Sequence, residues 1–224
     1  MSTVVSLPPG FDETWNLADL KSHLGDIPLE RIRMFPYPGT ATEQDLVDIE
    51  ARENRLYELE DGVLVEKTMG CHESLLALLM GTELMLFLRQ HDGGQAFTTD
   101  APFRILPGTV KMPDVCFVSW ERLFRQTSKR TPIYSVVPDF VVEILSPSNT
   151  KREMANKLEM YFRAGVRLVW YIDPKRRCAD CFRSVTDVVH LDETGEIDGG
   201  EVLPGFKISL HTLFAEADRQ GPSE

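Results

Sequence analysis

Glu143 lies inside an apolar run, PDFVVEILS, residues 138 to 146. In an extended strand, residues two apart share a face. Phe140, Val142 and Ile144 therefore point one way, and Val141, Glu143 and Leu145 the other. A carboxylate among Val and Leu costs several kcal/mol if it is buried unpaired. It must take a proton, meet a base or bind a cation. A second predicted strand, PDVCFVS, opens on the same Pro-Asp dipeptide at Pro113-Asp114. Asp114 is the natural partner for Glu143, and a divalent metal shared by the two is the most economical solution. Hard oxygen donors of this kind suit Mg²⁺ or Mn²⁺. Lys157 follows on the next predicted helix, about 60° around from Met154 at the border of the apolar stripe. Its ammonium could orient an attacking water and stabilise charge in a phosphoryl transition state. The plainer reading is a structural ion pair of Glu143 with Lys157, Arg152 or Arg167. Spacing alone leaves both open.

These residues need a scaffold. LYELEDGVLVEK alternates on both sides of Asp61-Gly62, which predicts a β-hairpin. HESLLALLMGTELMLFLRQ predicts a largely buried helix stopped at Gly93-Gly94. Strands are expected at QAFTT, PFRIL and PDVCFVS, a short helix at SWERLF, and a loop over residues 125 to 137. The strand PDFVVEILS leads into a helix, SNTKREMANKLEMYFRAG, with Ser148 or Asn149 as its cap and Gly165 as its stop. VRLVWYID, RCADCFRS, TDVVHLDE and a last strand and helix in LPGFKISLHTLFAEA complete the series. The expected fold is mixed α/β, of α+β character: a central mixed β-sheet flanked by helices. Residues 1 to 41 read as a partly irregular arm, with one short helix near WNLADLKSHL. The domain proper is expected over 42 to 217, with Thr42 capping its first helix, and 218 to 224 read as a polar tail.

The bulk numbers are those of a soluble domain: 224 residues, 42% hydrophobic and 26% charged. The start has no secretory pattern, and no apolar run approaches the roughly 20 residues of a membrane span. A cytoplasmic protein is expected. Net charge is −11, which argues against a nucleic-acid partner when taken whole. Yet residues 111 to 177 carry 13 Lys and Arg against 7 Asp and Glu. CADC, with Cys178 and Cys181, has CxxC spacing, but in a strand the two thiols face opposite ways and share a metal poorly.

The stretches PDVCFVSWERL and PDFVVEILSPSNTKREMANKLEMYFRAGVRLVWYIDP resemble the Uma-two-type restriction endonucleases, a branch of the PD-(D/E)XK nuclease superfamily. The likeness spans about residues 42 to 215, taking in YELEDGVLVEKTMGCHESLLALL and LPGFKISLHTLF. EILSPSN, the lysine eight residues later and WYIDP are its most specific parts. The resemblance implies a restriction-endonuclease-like fold and a Mg²⁺- or Mn²⁺-dependent DNA endonuclease. Asp114 and Glu143 would bind the metal. The superfamily usually has a lysine two residues after that glutamate, where this chain has Leu145; Lys157 matches the replacement from the helix. Glu66 and His72 match polar positions that line the site.

Under this reading Arg122, Arg125, Lys129, Arg130, Lys151 and Arg152 would meet the DNA backbone. A homodimer would let two sites cut two strands. The competing expectation is a nuclease-like domain that binds nucleic acid or a protein partner without cutting. The displaced lysine and the acidic balance speak for it.

Overall fold

The computed structural model describes residues 14–68, 70–126 and 130–220. Two sheets dominate. The larger has six strands, β3 (Gly94–Thr98), β6 (Val115–Ser119), β7 (Phe140–Ile144), β8 (Leu168–Asp173), β9 (Cys178–Phe182) and β10 (Val188–Asp192). Their order is β10-β9-β8-β7-β6-β3. Only β7 and β8 are parallel, and the helix α5 (Lys151–Ala164) makes the crossover between them. The smaller sheet has the order β2-β1-β5-β4, from β1 (Tyr57–Glu60), β2 (Val63–Glu66), β4 (Phe103–Leu106) and β5 (Thr109–Lys111). The expected mixed α/β fold is present.

Alternation along β7 divides the core. Phe140, Val142 and Ile144 face a cluster with α3 (Cys71–His91) and α6 (Leu210–Ala217). Val141 faces Met154, Leu158 and Tyr161 of α5. Each such side chain contributes about 1.5–3 kcal/mol by leaving water. α3 is 21 residues long and apolar enough to pass for a membrane span by length and composition, contrary to the expectation that no segment would. Its residues Leu76, Met80, Leu84 and Leu88 are packed in the core instead.

Several local predictions hold. Asp61 and Gly62 both take positive φ in the turn between β1 and β2, and Gly165 stops α5 at φ 98°. Thr42 caps α2 (Glu43–Glu53) with Asp45 closing a capping box. The cap of α5 is Thr150 rather than Ser148 or Asn149. Thr150 accepts from the Glu153 amide, and Glu153 reaches back to the Thr150 amide. Asn149 is engaged with Ser146 instead.

Residues 17–32 lie against this core. Leu20, Leu24, Ile27 and Ile32 pack on Val63 and Val65 of β2. The same stretch braces the start of α5: Arg31 pairs with Glu153 at 2.9 Å, and Asn156 donates to the His23 carbonyl. Gly25, at φ 81°, is pressed so close that a Cβ would sit 2.5 Å from the Glu153 backbone. The helix that carries Lys157 is thus held from both sides.

Candidate active site

The chain passes from the small sheet to the large one at Met112, Pro113 and Asp114, between β5 and β6. The antiparallel register that pairs Val115 with Val142 sets Asp114 opposite Glu143. Asp114 Oδ2 accepts from the Ile144 amide at 2.7 Å, which ties the two strands together beside both carboxylates. Both acids are buried, at 3% and 5% exposure. Glu143 Oε1 accepts from the Tyr161 hydroxyl at 2.5 Å and lies 3.0 Å from Lys157 Nζ. Tyr161 and Lys157 are four residues apart on α5, so one helix face delivers both.

Two further residues complete the constellation, and sequence reasoning missed them. Glu58 of β1 is buried and lies 3.2 Å from Lys157 Nζ through Oε1, which also accepts from the Met112 amide. Its other oxygen meets Lys111, which also holds Glu60. Lys67, directly after β2, reaches Asp114 Oδ1 at 2.8 Å and donates to the Met112 carbonyl. Glu58 and Lys111 are opposite one another in the β1–β5 register, a pairing that reading the hairpin alone does not expose.

The electrostatics follow from burial. Burial alone would raise the Glu58 carboxyl, but Lys111, Lys157 and Lys67 overcome it and hold it well below the usual range. Burial, with Asp114 and Glu58 adding like charge, pushes Glu143 upward against the pull of Lys157 and Lys67. Lys157 loses hydration on burial, yet Glu143, Glu58 and Asp114 keep it firmly protonated.

Between these groups is a cavity of about 30 Å³, room for a water or a single ion. Five carboxylates line it (Glu58, Glu73, Asp114, Glu143 and Glu153) against three cations (Arg31, Lys67 and Lys157). Carboxylates outnumber cations in this lining, an acidic balance that suits a cation. Among the described residues, no three His, Cys, Asp or Glu side chains form a ready cage. Mg²⁺ needs none, since it commonly uses one or two carboxylates and keeps its waters. The donor set fits such an ion.

Other expected site residues stand apart. Glu66 turns to Arg55 at 3.0 Å, because neighbours on an extended chain point opposite ways and Lys67 takes the inward position. His72 is exposed and meets Asp218 at 3.3 Å, while Glu73, about 100° further round α3, lines the cavity. Arg122 is structural: it donates to the Val137, Pro138 and Gly165 carbonyls and pairs with Asp139. Arg125, paired with exposed Glu121, lies beyond the end of β6 remote from Asp114, about 16 Å along the strand. Arg152 is held by Asp26 and Ser22. Lys151 is exposed at the start of α5 and is not among the residues that line the cavity, and Arg130 is exposed in the loop after α4 (Trp120–Leu123). Lys129 lies outside the described residues. The thiols of CADC are raised by burial, Cys181 to about 12, the reverse of a reactive pair.

The family profile described as "Putative restriction endonuclease", Uma2, matches residues 43–211. The chain belongs to the Uma2 family. A search of curated proteins returns no match. Among solved structures, one described as a putative nuclease belonging to DUF820, from Anabaena variabilis ATCC 29413, is similar with a TM-score of 0.63. The identity is 19%, over 72% of this chain and 91% of that one, so the likeness speaks to the fold. Membership of Uma2 supports a nuclease function, and the matched segment contains Glu58, Lys67, Asp114, Glu143 and Lys157.

Proposed function

We propose that this Uma2 protein is a metal-dependent DNA endonuclease that hydrolyses phosphodiester bonds at the cavity between Asp114 and Glu143. The observation that carries the reading is two buried carboxylates side by side, with two ammonium groups facing the same small space. Asp114 and Glu143 would hold Mg²⁺ or Mn²⁺. When bound, that ion supplies Lewis-acid activation of the phosphoryl group and of a water. The residues of the chain do the rest. Lys157, fixed by Glu58 on one side and Glu143 on the other, offers a localised positive charge to the phosphate oxygens as charge builds on them. Tyr161 orients the Glu143 carboxylate from behind. The cavity is too small for a nucleotide, so the backbone approaches its mouth, near Thr68, Ser146 and Asn149. Exposed Lys151, at the start of the same helix, would be free to meet phosphate further along the backbone, and with a net charge of −11 the encounter would be weak and salt-sensitive. Two copies would present two sites to a duplex.

A second reading has its own support. Lysines already neutralise both carboxylates, as they would in a nuclease-like domain that binds without cutting. Cleavage of mixed single- and double-stranded DNA, with Mg²⁺ or Mn²⁺ at several salt concentrations, separates the two. The endonuclease reading expects cutting by the wild type and none by Glu143→Ala. Equal rates for both proteins, or no cutting by either beside salt-sensitive DNA binding, would overturn it.

A further inference from the structure

Lys67 is not at the superfamily's usual lysine position, which is Leu145 here, nor on the helix that supplies Lys157. It arrives from the hairpin of the other sheet. Of the two Asp114 oxygens, Oδ2 is committed to the Ile144 amide at 2.7 Å. Oδ1 is the oxygen left for a ligand, and Lys67 Nζ occupies it at 2.8 Å. The lysine side chain is itself only 8% exposed and is anchored by the Met112 carbonyl. We propose that Lys67 is an internal counter-ion for Asp114, which a divalent cation must displace in order to bind. The proposal rests on the metal-dependent reading above.

The physical argument is exclusion by charge. Mg²⁺ coordinates carboxylate oxygen at about 2.0–2.1 Å. An ammonium left on the same oxygen would face it across roughly 4 Å in a poorly screened cavity. Lys67 has somewhere to go, since the cavity it lines also presents Glu73, Thr68 and the mouth where phosphate would arrive. A phosphate that takes the ammonium would free Asp114 Oδ1. Metal and DNA would then each favour the other's binding, with equal coupling in both directions.

Calorimetric titration with Mn²⁺ alone tests this without any cleavage assay. Lys67→Met should bind Mn²⁺ at least about tenfold more tightly than the wild type, and Lys67→Arg should not. Where Lys67→Met fails to fold, as judged by near-UV circular dichroism, Lys67→Gln removes the charge but keeps a donor for the Met112 carbonyl. Measurable wild-type binding that neither neutral variant tightens would overturn the inference and leave the metal-dependent reading intact. Absence of binding in the wild type and in every variant would overturn both. Binding in a neutral variant but not in the wild type would support the inference in its strongest form.

Discussion

Lys157→Met exposes how much Glu143 depends on its partner. Lys157 Nζ touches Glu143 at 3.0 Å and Glu58 at 3.2 Å. Without it, Glu58 keeps Lys111 and the Met112 amide, but Glu143 keeps the Tyr161 hydroxyl and the longer-range pull of Lys67. An uncompensated buried charge costs about 3–5 kcal/mol. Glu143 has a cheaper escape, which is to fold with its proton on. Relative to the ordinary carboxyl value of 4.5, holding that proton at pH 7 costs about 3.4 kcal/mol, at 1.36 per unit. That figure caps the penalty. The unfolded chain releases the proton above pH 4.5 while the folded variant retains it, so the variant loses stability as pH rises. Its deficit should therefore shrink to about 1 kcal/mol at pH 5. Urea unfolding of both proteins at pH 5 and pH 7, without divalent cations, measures this directly. Adding Glu143→Gln to Lys157→Met should recover most of the loss at pH 7. A deficit under about 1 kcal/mol at pH 7, or one that does not change with pH, would refute the dependence of Glu143 on Lys157.

Other expectations follow from single contacts. Gly25→Ala combines a positive φ with a backbone clash against Glu153, and should cost about 1–3 kcal/mol in chemical denaturation. Arg122→Ala strips three carbonyls of their donor and leaves Asp139, 2% exposed, with Arg167 at 3.6 Å and the Ser119 amide. A loss of about 2–4 kcal/mol is expected, with DNA affinity per folded molecule unchanged. The Asp61 hydrogen bond raises the His23 pKa above 6.5 against partial burial. The stability it adds is complete below about pH 6.5 and lost as pH climbs through the raised value, so His23→Gln should flatten that part of the stability–pH curve.

What could be read from the sequence was whatever sits on one element. Glu143 announces itself because its strand neighbours are all apolar, and Asp114 because a second Pro-Asp strand must lie nearby. Lys157 was placed by helical angle, and the structure brings it to Glu143. Glu66 and His72 are each one residue from a group that lines the cavity, a step of strand parity in one case and of helical phase in the other. β5 escaped notice because three residues, TVK, carry no periodicity, and Lys111 was lost with it. Glu58 is the instructive miss. In YELE the two acids alternate with Tyr57 and Leu59, the pattern of a hairpin with one wet face. That face is dry here, because α5 and residues 24–27 cover it. Alternation reports only that a face is polar; whether water or protein meets it depends on elements far away in sequence. Charge balance makes the distinction. A solvated face carries any charges it likes, whereas Glu58 and Glu60 sit across from Lys111 and beneath Lys157, each acid within 3.2 Å of a lysine. Such matching is what burial demands, and it makes the polar side of the small sheet part of the site rather than part of the surface.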